Sequence, residues 1–90
     1  MTAPTVSELQ ARLMAAFPDA RIEVTDDSHL HAGHAGAASG GGHYSVRIDS
    51  ARFQGLTTLA RHRLVYDSVL EWMPHRIHAL AIIARLPAES

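Results

Sequence analysis

The stretch His29–His43, reading HLHAGHAGAASGGGH, sets the strongest limit on what this chain can fold into. It holds four of the seven histidines and five of the six glycines. Glycine gives up more backbone entropy on ordering than any other residue, so a run this dense cannot sustain a helix or a strand. The stretch therefore connects elements, and its neighbours must supply the core. Its imidazoles add a second property, since several brought together can hold a soft or borderline metal. It is either a ligand arm or a slack connector.

On its N-terminal side, Thr5 with Glu8 three residues on fits a capping box, in which each side chain satisfies an orphan N–H at a helix start. Val6, Leu9, Leu13, Ala16 and Phe17 recur at helical spacing, which predicts an amphipathic helix over Val6–Phe17 ended by Pro18. Arg21–Thr25 then alternates, with Ile22 and Val24 against Arg21, Glu23 and Thr25, as a half-buried strand does. Asp26, Asp27 and Ser28 close it. Beyond the loop, His43–Asp49 alternates again, with Tyr44, Val46 and Ile48 against Ser45, Arg47 and Asp49. Consecutive strands of this kind pair antiparallel. Their link is far longer than that of an ordinary hairpin.

Ser50–Thr58 carries Phe53 and Gly55 and reads as a turn with room for a single helical turn, and Thr57 or Thr58 is placed to cap the next helix. Leu59–Met73 is the second predicted helix. Its apolar stripe runs through Leu59, Tyr66, Val69, Leu70 and Met73, takes in His62, and is closed by Pro74. Ile77–Ala84 is apolar at both parities, the pattern of a strand covered on both faces or lying centrally beside a parallel neighbour. The strand–helix–strand portion makes a right-handed βαβ unit. The expected fold is thus α+β: a small αββαβ sandwich with a three-stranded mixed sheet and helices on one face, in a type II KH-like arrangement.

Ninety residues make one domain, 1–90, with His29–His43 as a flexible loop between strands. There is no cysteine, which removes disulfides and any thiolate site made by this chain alone. No long apolar run and no signal-like N-terminus are present, so the expectation is a soluble cytoplasmic domain with no membrane association. The formal net charge is -1 and every basic side chain is an arginine. Such a field does not draw a polyanion, although Arg52, Arg61 and Arg63 offer either a modest nucleic-acid-binding patch or a solvated helix face. The KH clamp on single strands is a GXXG loop between helices. Gly33-His34-Ala35-Gly36 matches that string but lies between strands. Gly55-Leu56-Thr57-Thr58, at the equivalent place, lacks the second glycine. No nucleophile stands with a base in a recognisable motif and no carboxylates are paired for acid–base work, so no enzyme is expected.

Three segments carry a family resemblance: Asp26-Asp27-Ser28-His29-Leu30-His31, then Phe53-Gln54-Gly55 followed by Arg61-His62-Arg63-Leu64-Val65-Tyr66, and Ile77-His78-Ala79-Leu80. In this order and at these separations the chain resembles the BolA family from Val6 to Glu89. The resemblance implies a KH-like αββαβ fold and a monothiol glutaredoxin as partner. It also implies a [2Fe-2S] cluster held jointly with glutaredoxin and its glutathione, and DNA-binding transcriptional regulation in some members. It carries two histidine ligands over to His31 and His78. The thiolates that this chain lacks would come from glutaredoxin. Two imidazoles in place of two thiolates change the cluster's charge, as in Rieske centres. Ligation needs neutral imidazoles, so assembly is expected to weaken in acid. The isolated chain is expected to hold no cofactor and to be a monomer or weak homodimer.

Each histidine also has a plainer reading. His78 heads an apolar strand and, without the resemblance, reads as a core residue bonded to backbone. His31 alone would be solvated, with His34 three residues on as an alternative ligand and His29 weaker. His43 starts a strand and is either another alternative ligand or structural. His62 reads as packed or capping, and His75 carries no signal. Around Gly36–Gly42 the loop is longer and richer in glycine than the family pattern. The His31–His34 spacing is not a recognised zinc signature, though short histidine-rich tracts do bind metals adventitiously.

Overall fold

The computed structural model describes residues 3–28 and 42–87. Helix α1 (Val6–Ala16) begins where the capping box predicts: the Glu8 N–H donates to the Thr5 hydroxyl at 3.0 Å, and the Thr5 N–H donates to the Glu8 carboxylate at 2.9 Å. The Thr5 N–H also holds the Glu8 carboxyl below its ordinary pKa. Strand β1 (Arg21–Asp26) pairs antiparallel with β2 (Gly42–Asp49), setting Ile22 opposite Ile48 and Val24 opposite Val46. Strand β3 (Ile77–Arg85) lies parallel to β2 on its other side, giving a mixed sheet in the order β1-β2-β3. Helix α2 (Thr58–Ser68) makes the crossover, preceded by a single 3-10 turn at Ala51–Phe53 and followed by another at Leu70–Trp72. The predicted order, strand directions and mixed sheet are all present.

One core holds these layers together. Leu9, Leu13 and Phe17 of the α1 segment and Val65 and Val69 of the α2 segment pack with Tyr44, Val46, Ile48 and Leu80 of the sheet. Alternation then turns Glu23, Thr25, Ser45, Arg47, Ala81 and Ile83 to the face that carries no helix. Among the described residues, no helix is long and apolar enough to cross a membrane.

Two expectations need correction. β3 is an edge strand with one open face, and Ile83 is 49% exposed there. Its non-alternating sequence comes from small or aliphatic residues on the open face, not from cover on both. The second helix ends at Ser68, well before Pro74, and Leu59 and Leu70 are exposed. Its inward stripe is Arg61, Val65 and Val69, spaced four apart: the valines are fully buried, and the Arg61 Nη1 reaches the Ala84 carbonyl at 3.3 Å. An arginine at the head of that stripe hid it from hydropathy. Within the predicted turn lies the single 3-10 turn Ala51–Phe53, and its Phe53 faces inward. That residue is fully buried, with its ring 5.5 Å from that of Phe17.

Candidate functional site

The two histidines that the described residues bring together are His43 and His78. A register shift between Gly42 and His43 sets Gly42 opposite Ile77 but His43 opposite Ala79. His78 is thus the extra residue of a bulge, the device that re-aims a side chain out of a regular ladder. Its ring centroid lies 5.5 Å from that of His43, with the planes tilted by 44°. His43 is 7% exposed, whereas His78 is exposed and so differs from the plain core reading of that residue.

The β1–β2 junction fixes His43 from the other side. The His43 N–H donates to the Ser28 hydroxyl at 3.1 Å, and the Asp27 N–H donates to the His43 carbonyl at 2.7 Å. The Ser45 hydroxyl donates to the Asp27 carboxylate, and the Ser28 N–H donates to Asp26 at 2.8 Å. In sequence, Asp26, Asp27 and Ser28 read as strand punctuation and open a family segment; here they clamp the exit of β1 to the entry of β2. Their short polar side chains were the signal, because such residues bond backbone locally. β2 also begins one residue earlier than its alternation implies. A Cβ on Gly42 would lie 2.6 Å from the Tyr44 ring carbon Cζ. Tyr44 itself is buried and donates to the Pro4 carbonyl, and burial, with Asp26 and Glu8 nearby, pushes its phenol pKa up.

His31 and His34 lie outside the described residues, so the geometry bears on neither. Among the described residues no group of three or more His, Cys, Asp or Glu could hold a metal ion. What they do offer is imidazole nitrogen at a strand bulge, a donor type that suits iron, with fewer ligands than a cluster needs.

Two of the three arginines singled out in the sequence are engaged within the fold. Arg52 donates to the Ala16 carbonyl and stacks 4.9 Å from the Phe17 ring. Arg61 donates from Nε to the Leu56 carbonyl at 3.0 Å and from Nη1 to the Ala84 carbonyl at 3.3 Å. Arg63 is exposed on α2, and His62 beside it is half-buried.

Comparison with known proteins gives a consistent neighbourhood. The family described as BolA-like protein matches residues 13–89. BolA-like protein 1 of Mus musculus is 36% identical over 86 residues, covering 96% of this chain and 61% of its own length. The DNA-binding transcriptional regulator BolA of Escherichia coli is 38% identical over 74 residues, covering 82% of this chain and 68% of its own. Among solved structures, the BolA domain of SufE1 from Arabidopsis thaliana superposes with a TM-score of 0.81 at 36% identity, covering 94% of each chain. Several curated relatives are longer than this chain, which spans from 23% to 61% of their length.

Proposed function

Because the chain belongs to the BolA-like family, we propose that it is an accessory factor in iron–sulfur cluster assembly and trafficking in the cytoplasm. It binds a monothiol glutaredoxin and shares a [2Fe-2S] cluster with it. The cluster is cargo, and this chain contributes two imidazoles to it. His78 is one of them; the other is His31, with His34 and His43 as alternatives. The observation that carries this reading is the bulge that presents an exposed His78 beside His43. His31 follows Ser28 by three residues, and the Ser28 hydroxyl is bonded to the His43 backbone. With no cysteine in the chain, sulfur ligands must come from outside, which is what glutaredoxin and its glutathione supply.

The chain's own residues then have a limited task. His78 is held on a strand rather than on a loop, which fixes its direction of approach. The His43 ring flanks it, with the two centroids 5.5 Å apart. The two imidazoles leave the remaining positions to the partner, so release needs only a few bonds to break. Mixing the chain with cluster-loaded monothiol glutaredoxin and following visible absorption and circular dichroism tests this. The expected result is a new spectrum with the wild type and a reduced one with His78→Ala. No change with the wild type, or the same change with His78→Ala, overturns it.

The second reading, DNA-binding transcriptional regulation, is supported by the name of the Escherichia coli relative. Against it stand the near-neutral charge and the engagement of Arg52 and Arg61 within the fold. Phosphate contacts make DNA affinity strongest at low salt. A gel shift that is absent even there removes this alternative.

A further inference from the structure

β3 leaves a backbone edge of the sheet open, and its sequence makes that edge hazardous. From Ala79 to Ala84 it reads ALAIIA, without charge or proline. An uncharged apolar run of this kind on an exposed edge is a template for another strand. The protections that a strand usually carries itself, a lysine, a glutamate or a proline, are missing over these six positions.

Protection comes instead from α2. Along a strand, successive residues turn their N–H and C=O groups to opposite edges. The Arg85 carbonyl accepts from the Ser50 N–H at 2.9 Å on the β2 side, so Leu80, Ile82 and Ala84 turn theirs outward. The Tyr66 hydroxyl donates to the Leu80 carbonyl at 3.0 Å, and the Arg61 Nη1 donates to that of Ala84 at 3.3 Å. The outward carbonyls on either side of Ile82 are both taken. A groove of about 380 Å³ between Thr58, Arg61 and His62 of α2 and residues 82–85 leaves the C-terminal part of this edge reachable. The protection there rests on these hydrogen bonds.

We infer that Arg61 and Tyr66 guard the edge of β3 against strand addition by a second copy of this chain. A second copy is the occupant because ALAIIA is self-complementary about Ile82. In an antiparallel pair Ile82 faces Ile82 and Leu80 faces Ala84, with no charge from Ala79 to Ala84 to oppose it. Such a pair needs the very carbonyls that the two guards occupy. The guard also joins two motifs that the function leaves unexplained: Arg61 and Tyr66 are the first and last residues of RHRLVY, and their acceptors lie in the strand that IHAL opens.

The test is the oligomeric state of the full chain. Arg61→Met with Tyr66→Phe removes both donors but keeps an aliphatic stem and the aromatic ring. Sedimentation of this double variant, with its fold checked by circular dichroism, is expected to show self-association about tenfold stronger than the wild type, the worth of about one net hydrogen bond. Adding Ile83→Lys, a charge on the open face of the same edge, is expected to reverse it. A folded double variant that sediments as the wild type does overturns the inference. So does association of the double variant that survives Ile83→Lys. Tyr66→Phe alone loses one hydroxyl from a residue 36% exposed, so its fold is secure. It must shift the same way by a smaller factor, and an unchanged profile overturns the guard if the double variant does not fold.

Discussion

Gly42 shows how a residue's meaning depends on what stands over it. In sequence it is the last of five glycines in a run that reads as slack. In the fold it is the first residue of β2, lying under the Tyr44 ring where a Cβ would be 2.6 Å from Cζ. Neither neighbour can give way cheaply, because the His43 backbone is bonded on both sides to Asp27 and Ser28 and Tyr44 is buried. Gly42→Ala is expected to destabilise the chain by about 1–3 kcal/mol, the usual cost of overpacking a tight site. Urea denaturation measures this. His78, by contrast, is exposed, so His78→Ala should leave the same denaturation curve nearly unchanged while altering the cluster response. That contrast separates a structural residue from a functional one.

At the scale of elements, α2 is where sequence periodicity misleads. Its inward stripe of Arg61, Val65 and Val69 begins with a charged residue, while leucines 59 and 70 stand in solvent. The helix ends at Ser68, and the chain turns again so that Trp72 enters the core. Arg12 of α1 holds this end: its guanidinium lies 4.3 Å from the Trp72 ring, pairs with Glu71 and donates to the Ser68 carbonyl at 3.5 Å. Arg76 stacks on the same ring at 5.3 Å. Arg12→Ala is expected to cost about 1–2 kcal/mol through the lost cation–π contact and carbonyl bond. Trp72 is the single tryptophan, so a red shift of fluorescence at unchanged helix content would localise the effect.

Across the whole molecule, Asp19 ties the turn after α1 to the exit of β2. Its carboxylate accepts from the Ser50 hydroxyl at 3.0 and 3.1 Å and from the Ala51 N–H at 3.0 Å. Partial desolvation pushes the carboxyl up, but these bonds outweigh it and its pKa lies below the ordinary 3.8. A group depressed on folding adds stability that is complete above its unfolded pKa. That stability is lost as pH falls from about 3.8 through the lower folded value. Asp19→Asn should therefore lower the melting temperature at neutral pH and flatten its decline in acid. A decline as steep as the wild type's would show that other groups govern acid unfolding.

The order of elements, the Thr5 cap of the first helix, a threonine cap at 57 or 58 for the second, the antiparallel and parallel pairings and the family are all legible along the chain. These rest on local chemistry and on periodicity, which a linear chain carries openly. Tertiary structure alone decided that β3 is an edge, that an arginine leads the inward stripe of α2, and that His78 stands at a bulge beside His43. Each of these depends on which residue of a distant segment comes opposite. For His78, that is a single-residue slip in the β2–β3 register, which no pattern within Ile77–Arg85 records. The same slip leaves His78, which without the family resemblance reads as core, exposed beside His43.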